Sequence, residues 1–301
     1  MTQTQHFRKH GRSWIVVGAA ISVMAIGCGR PADRAGQSAT SPSSGNIVTV
    51  KGSDTMVHLV SAWAERYMSE HPGANISVTG GGTGTGISAL INGTTDICAA
   101  SRNIKPEEKE MAEKKRRPPV EFTVARDAIA VIVNKNNPIS ELTLEQLKAI
   151  YTGAVTNWTQ VGGPDQPIQV VSRESSSGTY AFFQEHVLQN EDYVATAQLL
   201  PATAAIVQAI SSEPWSIGYV GLGYVAGAGG SIKAIGIKTR DASPAVGASE
   251  ETVLSGAYGI SRALFLYAVE PATPSIQAFV DFCTGPEGQR IVRETGYVAV
   301  R

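Results

Sequence analysis

The sequence predicts an α/β protein built mostly from parallel strands, and two observations carry the prediction. Strand-like runs alternate with helical ones along the chain after residue 46, the order that builds parallel sheets with ligands bound beyond the carboxyl ends of the strands. Three of the strand-to-helix junctions also share one chemistry: a polar turn of Ser, Thr and Gly directly before the helix. Unpaired N–H groups and the helix dipole converge at such starts, so each can receive an anion, and three together are hard to explain as plain turns. At 301 residues the chain is long enough for two lobes.

The first 46 residues stand apart. His6, Arg8, Lys9, His10 and Arg12 make a basic region, residues 14–26 an apolar one, and small residues then lead to Cys28. This is the pattern of a secretory signal over 1–27, with an apolar stretch too short for a comfortable membrane span. Ala25-Ile26-Gly27-Cys28 resembles a bacterial lipoprotein box, with Ala where Leu is usual, which makes Cys28 the expected lipidation site. Residues 28–46 are rich in Ser, Ala, Pro and Gly without hydrophobic period and read as a flexible tether. Removing 1–27 takes away three Lys/Arg and no acid, leaving 22 basic against 26 acidic residues, a net charge of −4. Bulk charge therefore does not hold this protein to nucleic acid.

The β-run 47–52 comes first, followed by Ser53-Asp54-Thr55 and a helical pattern over 56–68. Ser, Asp and Thr are all good N-caps, so Asp54 is either a cap or a ligand-facing acid. A second unit has the strand-like 76–78, the run Thr79-Gly80-Gly81-Gly82-Thr83-Gly84-Thr85-Gly86 and a helical pattern over 87–92. Strand 95–100 ends at Ser101-Arg102, and Pro106 opens a charged helix to 115. Residues 127–134 are a buried strand by their β-branched content, 138–143 a turn, and Thr143-Leu-Glu-Gln146 a capping box. Strand 168–172 then leads through Arg173-Glu174-Ser175-Ser176-Ser177-Gly178-Thr179 into helix 180–188, the third unit. Gly221-Leu-Gly223-Tyr-Val-Ala226 fits a dinucleotide fingerprint on paper, but a strand-like 231–237 follows where a helix is needed, so it reads as a loop. Beyond it come the apolar run 263–269, a helix near 275–283, a shorter one from Pro286 and the closing Gly296-Tyr-Val-Ala-Val.

The glycine-rich run lets the backbone bring its N–H groups close to a ligand. It lacks the Lys-Ser/Thr of a nucleoside triphosphate loop and contains no strict G-x-G-x-x-G. Cys98 and Cys283 lie in apolar patterns; buried thiols and a disulfide are both compatible with them. No cysteine–histidine cluster suggests a metal, and no cofactor is expected.

The order Gly52-Ser-Asp-Thr55, Gly82-Thr-Gly-Thr-Gly-Ile87, Asn92-Gly-Thr-Thr-Asp96, Ser101-Arg102, Tyr151-Thr-Gly153, Asn157-Trp158, Val161-Gly-Gly163, Arg173-Glu-Ser-Ser-Ser-Gly-Thr179 and Pro286-Glu-Gly-Gln289 resembles the phosphate-binding proteins (PstS) of bacterial phosphate ABC transporters. The resemblance covers about residues 47–301. It implies the type II periplasmic-binding-protein fold: two α/β lobes, two crossover strands and a ligand cleft between the lobes. The implied lobes are 47–134 with 263–301, and 135–262, with crossovers at 128–134 and 260–268. It further implies a phosphate cradle of Ser53, Asp54, Thr55, the Met56 N–H, Thr83, Ser101, Arg173, Ser177, Gly178 and Thr179. Many relatives carry Asp where Ser101 and Ser175 stand, to accept the phosphate proton and to orient the arginine. Here Asp54 is the candidate acceptor and Glu174 the candidate support for Arg173, whose alternative reading is a surface ion pair with Glu174.

Together these readings make the chain a lipid-anchored, monomeric periplasmic or cell-surface protein that binds inorganic phosphate and hands it to the permease subunits of an ABC transporter, with no nucleic-acid partner. A binding protein or sensor for another oxyanion, such as sulfate or molybdate, is the neighbouring alternative. A secreted hydrolase fits less well, because outside the signal only His58, His71 and His186 remain and none stands beside a G-x-S-x-G elbow.

Overall fold

The structure, a computed structural model, describes residues 47–300. The signal, Cys28 and the tether lie outside the described residues. Strand β1 (Val48–Gly52) turns Val48 and Val50 into the core and runs parallel to both β2 (Ile76–Thr79) and β3 (Ile97–Ala100). All four residues of β3 are buried, as a strand covered on both faces must be. One face carries α1 (Val57–Glu70), α9 (Pro274–Thr284) and α10 (Pro286–Glu294), whose Leu59, Trp63, Phe279 and Val292 share a core. The Trp63 indole N–H donates to the Gly288 carbonyl at 2.8 Å, so the end of the chain returns to the first half. The other face carries α2 (Thr83–Asn92) and α3 (Pro106–Lys114) over Cys98 and Phe265.

The second half repeats the plan. β6 (Gln169–Arg173) is parallel to β7 (Gln198–Leu200) and β8 (Ser216–Gly221). Helices α4 (Leu144–Thr152) and α5 (Gly178–His186) pack Leu147, Tyr151 and Phe183 on one side. On the other, α6 (Thr203–Ser212) and the four-residue α7 (Gly223–Ala226) contribute Ile206, Ile210 and Tyr224. The 16-residue β4 (Pro119–Asn134) joins the halves. Its first part pairs antiparallel with β11 (Ser261–Val269), and its last residues pair with β8 and β9 (Ile232–Ala234). The return runs through the start of β11, since Ile260 packs in the second half's core and Leu264 in the first half's. The sheet order is β2-β1-β3-β11-β4-β8-β6-β7, parallel on both flanks and antiparallel where the halves meet.

Several local readings change. Helix α2 begins at Thr83, inside the glycine run, rather than at Ile87. The 138–143 turn contains β5 (Glu141–Thr143), parallel to β10 (Gly236–Lys238). The 231–237 strand breaks at Ile235, whose N–H donates to Val131, and so becomes β9 and β10. The Thr143 capping box is present in both directions, at 3.0 and 2.9 Å. A short α8 (Glu250–Leu254) precedes β11. Cys98 and Cys283 are free thiols buried in separate cores, and burial pushes both up in pKa. No described helix is long and apolar enough to cross a membrane.

Candidate functional site

Parallel pairing puts the carboxyl ends of β1, β2 and β3 at one edge, and those of β6, β7 and β8 at an edge that faces it. The polar turns of both halves therefore meet. The Gly84 N–H donates to the Ser176 carbonyl at 3.0 Å, and Thr55 Oγ1 lies 2.8 Å from Thr179 Oγ1. Two glycines make this approach sterically feasible. Gly82 has φ +90° and a Cβ there would lie 2.6 Å from the Ser176 oxygen; a Cβ on Gly178 would lie 2.4 Å from Thr83 Oγ1 and 2.6 Å from Ser101 Oγ.

Ser53, Thr55, Met56, Thr83, Ser101, Arg173, Ser177, Gly178 and Thr179 are all buried, and Asp54 is partly so. The hydrogen bonds preset the hydroxyls. Thr83 Oγ1 accepts from the Ser101 N–H at 3.1 Å, and Ser177 Oγ from the Thr179 N–H at 3.2 Å. Thr179 Oγ1 accepts from Arg262 Nη2 at 3.0 Å. Each oxygen spends a lone pair on a group that can only donate, which leaves its own proton to be given away. Thr83 and Ser101 hydroxyls lie 3.3 Å apart, and the α5 N-terminus adds its dipole. The arrangement suits a ligand made of acceptors.

Arg173, 1% exposed, is not a surface residue. Nε donates to the Leu200 carbonyl (3.2 Å), Nη1 to Thr203 Oγ1 (2.8 Å), and Nη2 to both the Pro201 carbonyl and Asp54 Oδ2 (2.7 Å each). Four of the five guanidinium N–H groups are thus used. Glu174 does not support Arg173; its Oε1 accepts from Ser176 Oγ at 2.8 Å. Asp54 opens a 3-10 turn (Asp54–Met56) in which no side chain caps, so its carboxylate serves Arg173 rather than the helix end. The Asp54 carbonyl accepts from the Tyr224 hydroxyl at 2.7 Å, and the Thr55 carbonyl from that of Tyr297. Burial first, then the charge of Asp54, pushes the Tyr224 phenol up to about 12.

Sequence reading missed a second pair. Arg262 Nε and Nη2 donate to Asp127 Oδ2 at 3.2 and 2.9 Å, and Nη1 to the Ser101 carbonyl at 2.9 Å. Asp127 Oδ1 accepts from the Leu222 N–H at 3.0 Å. Burial pushes the Asp127 carboxyl up, and Arg262 and the Leu222 N–H pull against it. The available signal was Asp127 at the head of the apolar run 128–133 and Arg262 directly before the apolar run 263–269, where a buried charge needs a partner.

Two three-layer α/β halves, joined by antiparallel crossing strands and closing on a Ser/Thr-rich cradle, define the type II binding-protein class. The sequence profile of the PBP superfamily domain matches residues 36–287. Phosphate-binding protein PstS of Pseudomonas aeruginosa is 34% identical over 299 residues, covering 94% of this chain and 90% of the relative. PstS of Staphylococcus haemolyticus is 36% identical over 255 residues, covering 83% and 79%. A Clostridium perfringens substrate-binding protein assigned to a phosphate ABC transporter, solved with phosphate bound, is 35% identical with a TM-score of 0.78, covering 85% of this chain and 100% of that one. A phosphate transport receptor from Vibrio cholerae follows at 29% identity and a TM-score of 0.67, covering 84% and 100%. The chain belongs to the PstS family of the PBP superfamily.

Proposed function

We propose that this chain binds inorganic phosphate outside the cytoplasm and delivers it to the permease subunits of a phosphate ABC transporter. The observation that carries the reading is the preset cradle: hydroxyls that each already accept an N–H keep a proton to donate, and phosphate is rich in acceptors. The names of the relatives support the same ligand. In this reading the ligand contacts are Ser53, Asp54, Thr55, Met56, Thr83, Ser101, Arg173, Ser177, Gly178 and Thr179. Lobe one comprises 47–134 and 263–301, lobe two 135–262, with β4 shared at the border. The protein acts as a monomer, held to the periplasmic or cell-surface side of a membrane by lipid on Cys28. Binding is its whole task. His58, His71 and His186 stack on Tyr224, Tyr67 and Phe182 and are absent from the contacts of the cradle serines, which argues against a hydrolase.

Calorimetry of the mature protein with phosphate, arsenate and sulfate at neutral pH tests the ligand. Phosphate and arsenate should bind and sulfate should bind far more weakly; sulfate binding as tightly as phosphate would sink the assignment.

A further inference from the structure

Arg262 lies outside every motif that marks the cradle, yet it touches both sides of it. From the start of β11 its guanidinium reaches the Ser101 carbonyl at the end of β3 and the Thr179 hydroxyl at the start of α5, at 2.9 and 3.0 Å. Asp127, fully buried on β4, fixes it through Nε and Nη2 and is itself fixed by the Leu222 N–H. The Phe182 ring, 5.7 Å from the guanidinium carbon, closes another side. A guanidinium only donates, so Thr179 Oγ1 accepts from it with one lone pair, and the Thr179 proton turns away from Arg262, towards the Thr55 hydroxyl 2.8 Å away or a ligand in the cradle. Without that constraint the hydroxyl is free to rotate and present a lone pair to an anion, a repulsive contact in a dry cleft.

We propose that Arg262, oriented by Asp127, is a positioning residue for anion capture: it turns the Thr179 proton into the cradle and ties the β3 end of one half to the α5 start of the other. The inference rests on the phosphate reading above. It separates two arginines by role, with Arg173 a ligand contact and Arg262 acting through Thr179.

The test is a double-mutant cycle read by phosphate calorimetry on the mature protein. Arg262→Lys keeps the charge opposite Asp127, but one ammonium cannot reach Asp127, Ser101 and Thr179 together. Affinity should fall at least tenfold in Arg262→Lys and in Thr179→Ala. The double variant should lose little more than the worse single one, because both remove the same oriented proton. Losses that multiply, or Arg262→Lys binding within twofold of wild type, would overturn the proposal. Replacing both charges, Asp127→Asn with Arg262→Gln, gives a second route if Arg262→Lys does not fold, since it leaves no unpaired buried charge. Its loss of affinity should shrink in a Thr179→Ala background, and a loss undiminished there would overturn the proposal. Wild-type protein that takes up no phosphate overturns the phosphate reading itself, and the inference with it.

Discussion

Gly178→Ala asks how closely the two halves must approach. A Cβ at this position would sit 2.4 Å from Thr83 Oγ1, 2.6 Å from Ser101 Oγ and 3.0 Å from Thr83 Cβ, where ordinary contact begins at 3.4 Å. The halves must part by about 1 Å along that line, enough to forfeit a quarter to a half of each packed contact across it. Overpacking of this kind costs about 1–3 kcal/mol, roughly a 5- to 150-fold loss in affinity. The two clashing partners belong to the first half and Gly178 to the second, so opening relieves the strain. The cost should then appear in ligand binding rather than in folding. Folding should gain slightly, since alanine in a helix is favoured over glycine by about 1 kcal/mol. Phosphate calorimetry paired with thermal unfolding of ligand-free protein separates the two. Affinity within twofold of wild type, or a loss of ligand-free stability as large as the loss of affinity, would refute the geometry.

Arg173→Ala should weaken phosphate by about 2–5 kcal/mol, because it also strands the Asp54 carboxylate; an affinity change below twofold would remove Arg173 from the site. Asp54→Asn should weaken phosphate and narrow the gap to sulfate, and selectivity unchanged from pH 5 to 8 would leave Asp54 as nothing more than the Arg173 anchor. Tyr224 bears on alkaline stability. Its folded pKa of about 12 exceeds the ordinary phenol value, so the unfolded chain loses the proton first. The stabilisation is full below about pH 10 and is lost as pH rises towards 12. Tyr224→Phe should flatten that part of a urea-unfolding series, and identical slopes would exclude Tyr224 as the cause. Cys28→Ser should yield protein without acyl mass, and acylated product detected by mass spectrometry would reject the anchor.

What could be read from the sequence was local. The three strand–turn–helix junctions announce themselves through alternating hydrophobics, Ser/Thr caps and glycines within a few residues, and all three reappear at the cradle. Helix α6 gave a weaker sign: Ile206 and Ile210 lie one turn apart in an Ala-rich stretch. Strand β8 shows no alternation because it is buried on both faces, and its Gly218 and Gly221 imitate a loop. Partner choice was the hardest part. Glu174 adjoins Arg173, but successive side chains at a strand end point to opposite faces, so the neighbour in sequence cannot follow it. The true partner, Asp54, is 119 residues away, and Arg262 and Asp127 are 135 apart. Neither separation leaves a trace in periodicity; only the folded sheet brings such charges together.

The two pairs explain how a mildly acidic protein can take up an anion. Two buried guanidiniums at the cradle each arrive with a carboxylate, Arg173 with Asp54 and Arg262 with Asp127, so these two pairs add no net charge. A lone guanidinium 4 Å from a unit anion would contribute about 4 kcal/mol at an effective dielectric of 20. With a carboxylate 2.7–2.9 Å from each arginine, much of that attraction cancels. Hydrogen bonds must then decide, at about 1.5–3 kcal/mol for each one made to a charged group. Bonds of this kind count donors and acceptors, whereas bulk charge treats phosphate and sulfate alike. On the proposed reading the carboxylate that cancels Arg173 also tilts the count: Asp54 adds an acceptor to a ring of donors, and only an anion carrying a proton can satisfy it.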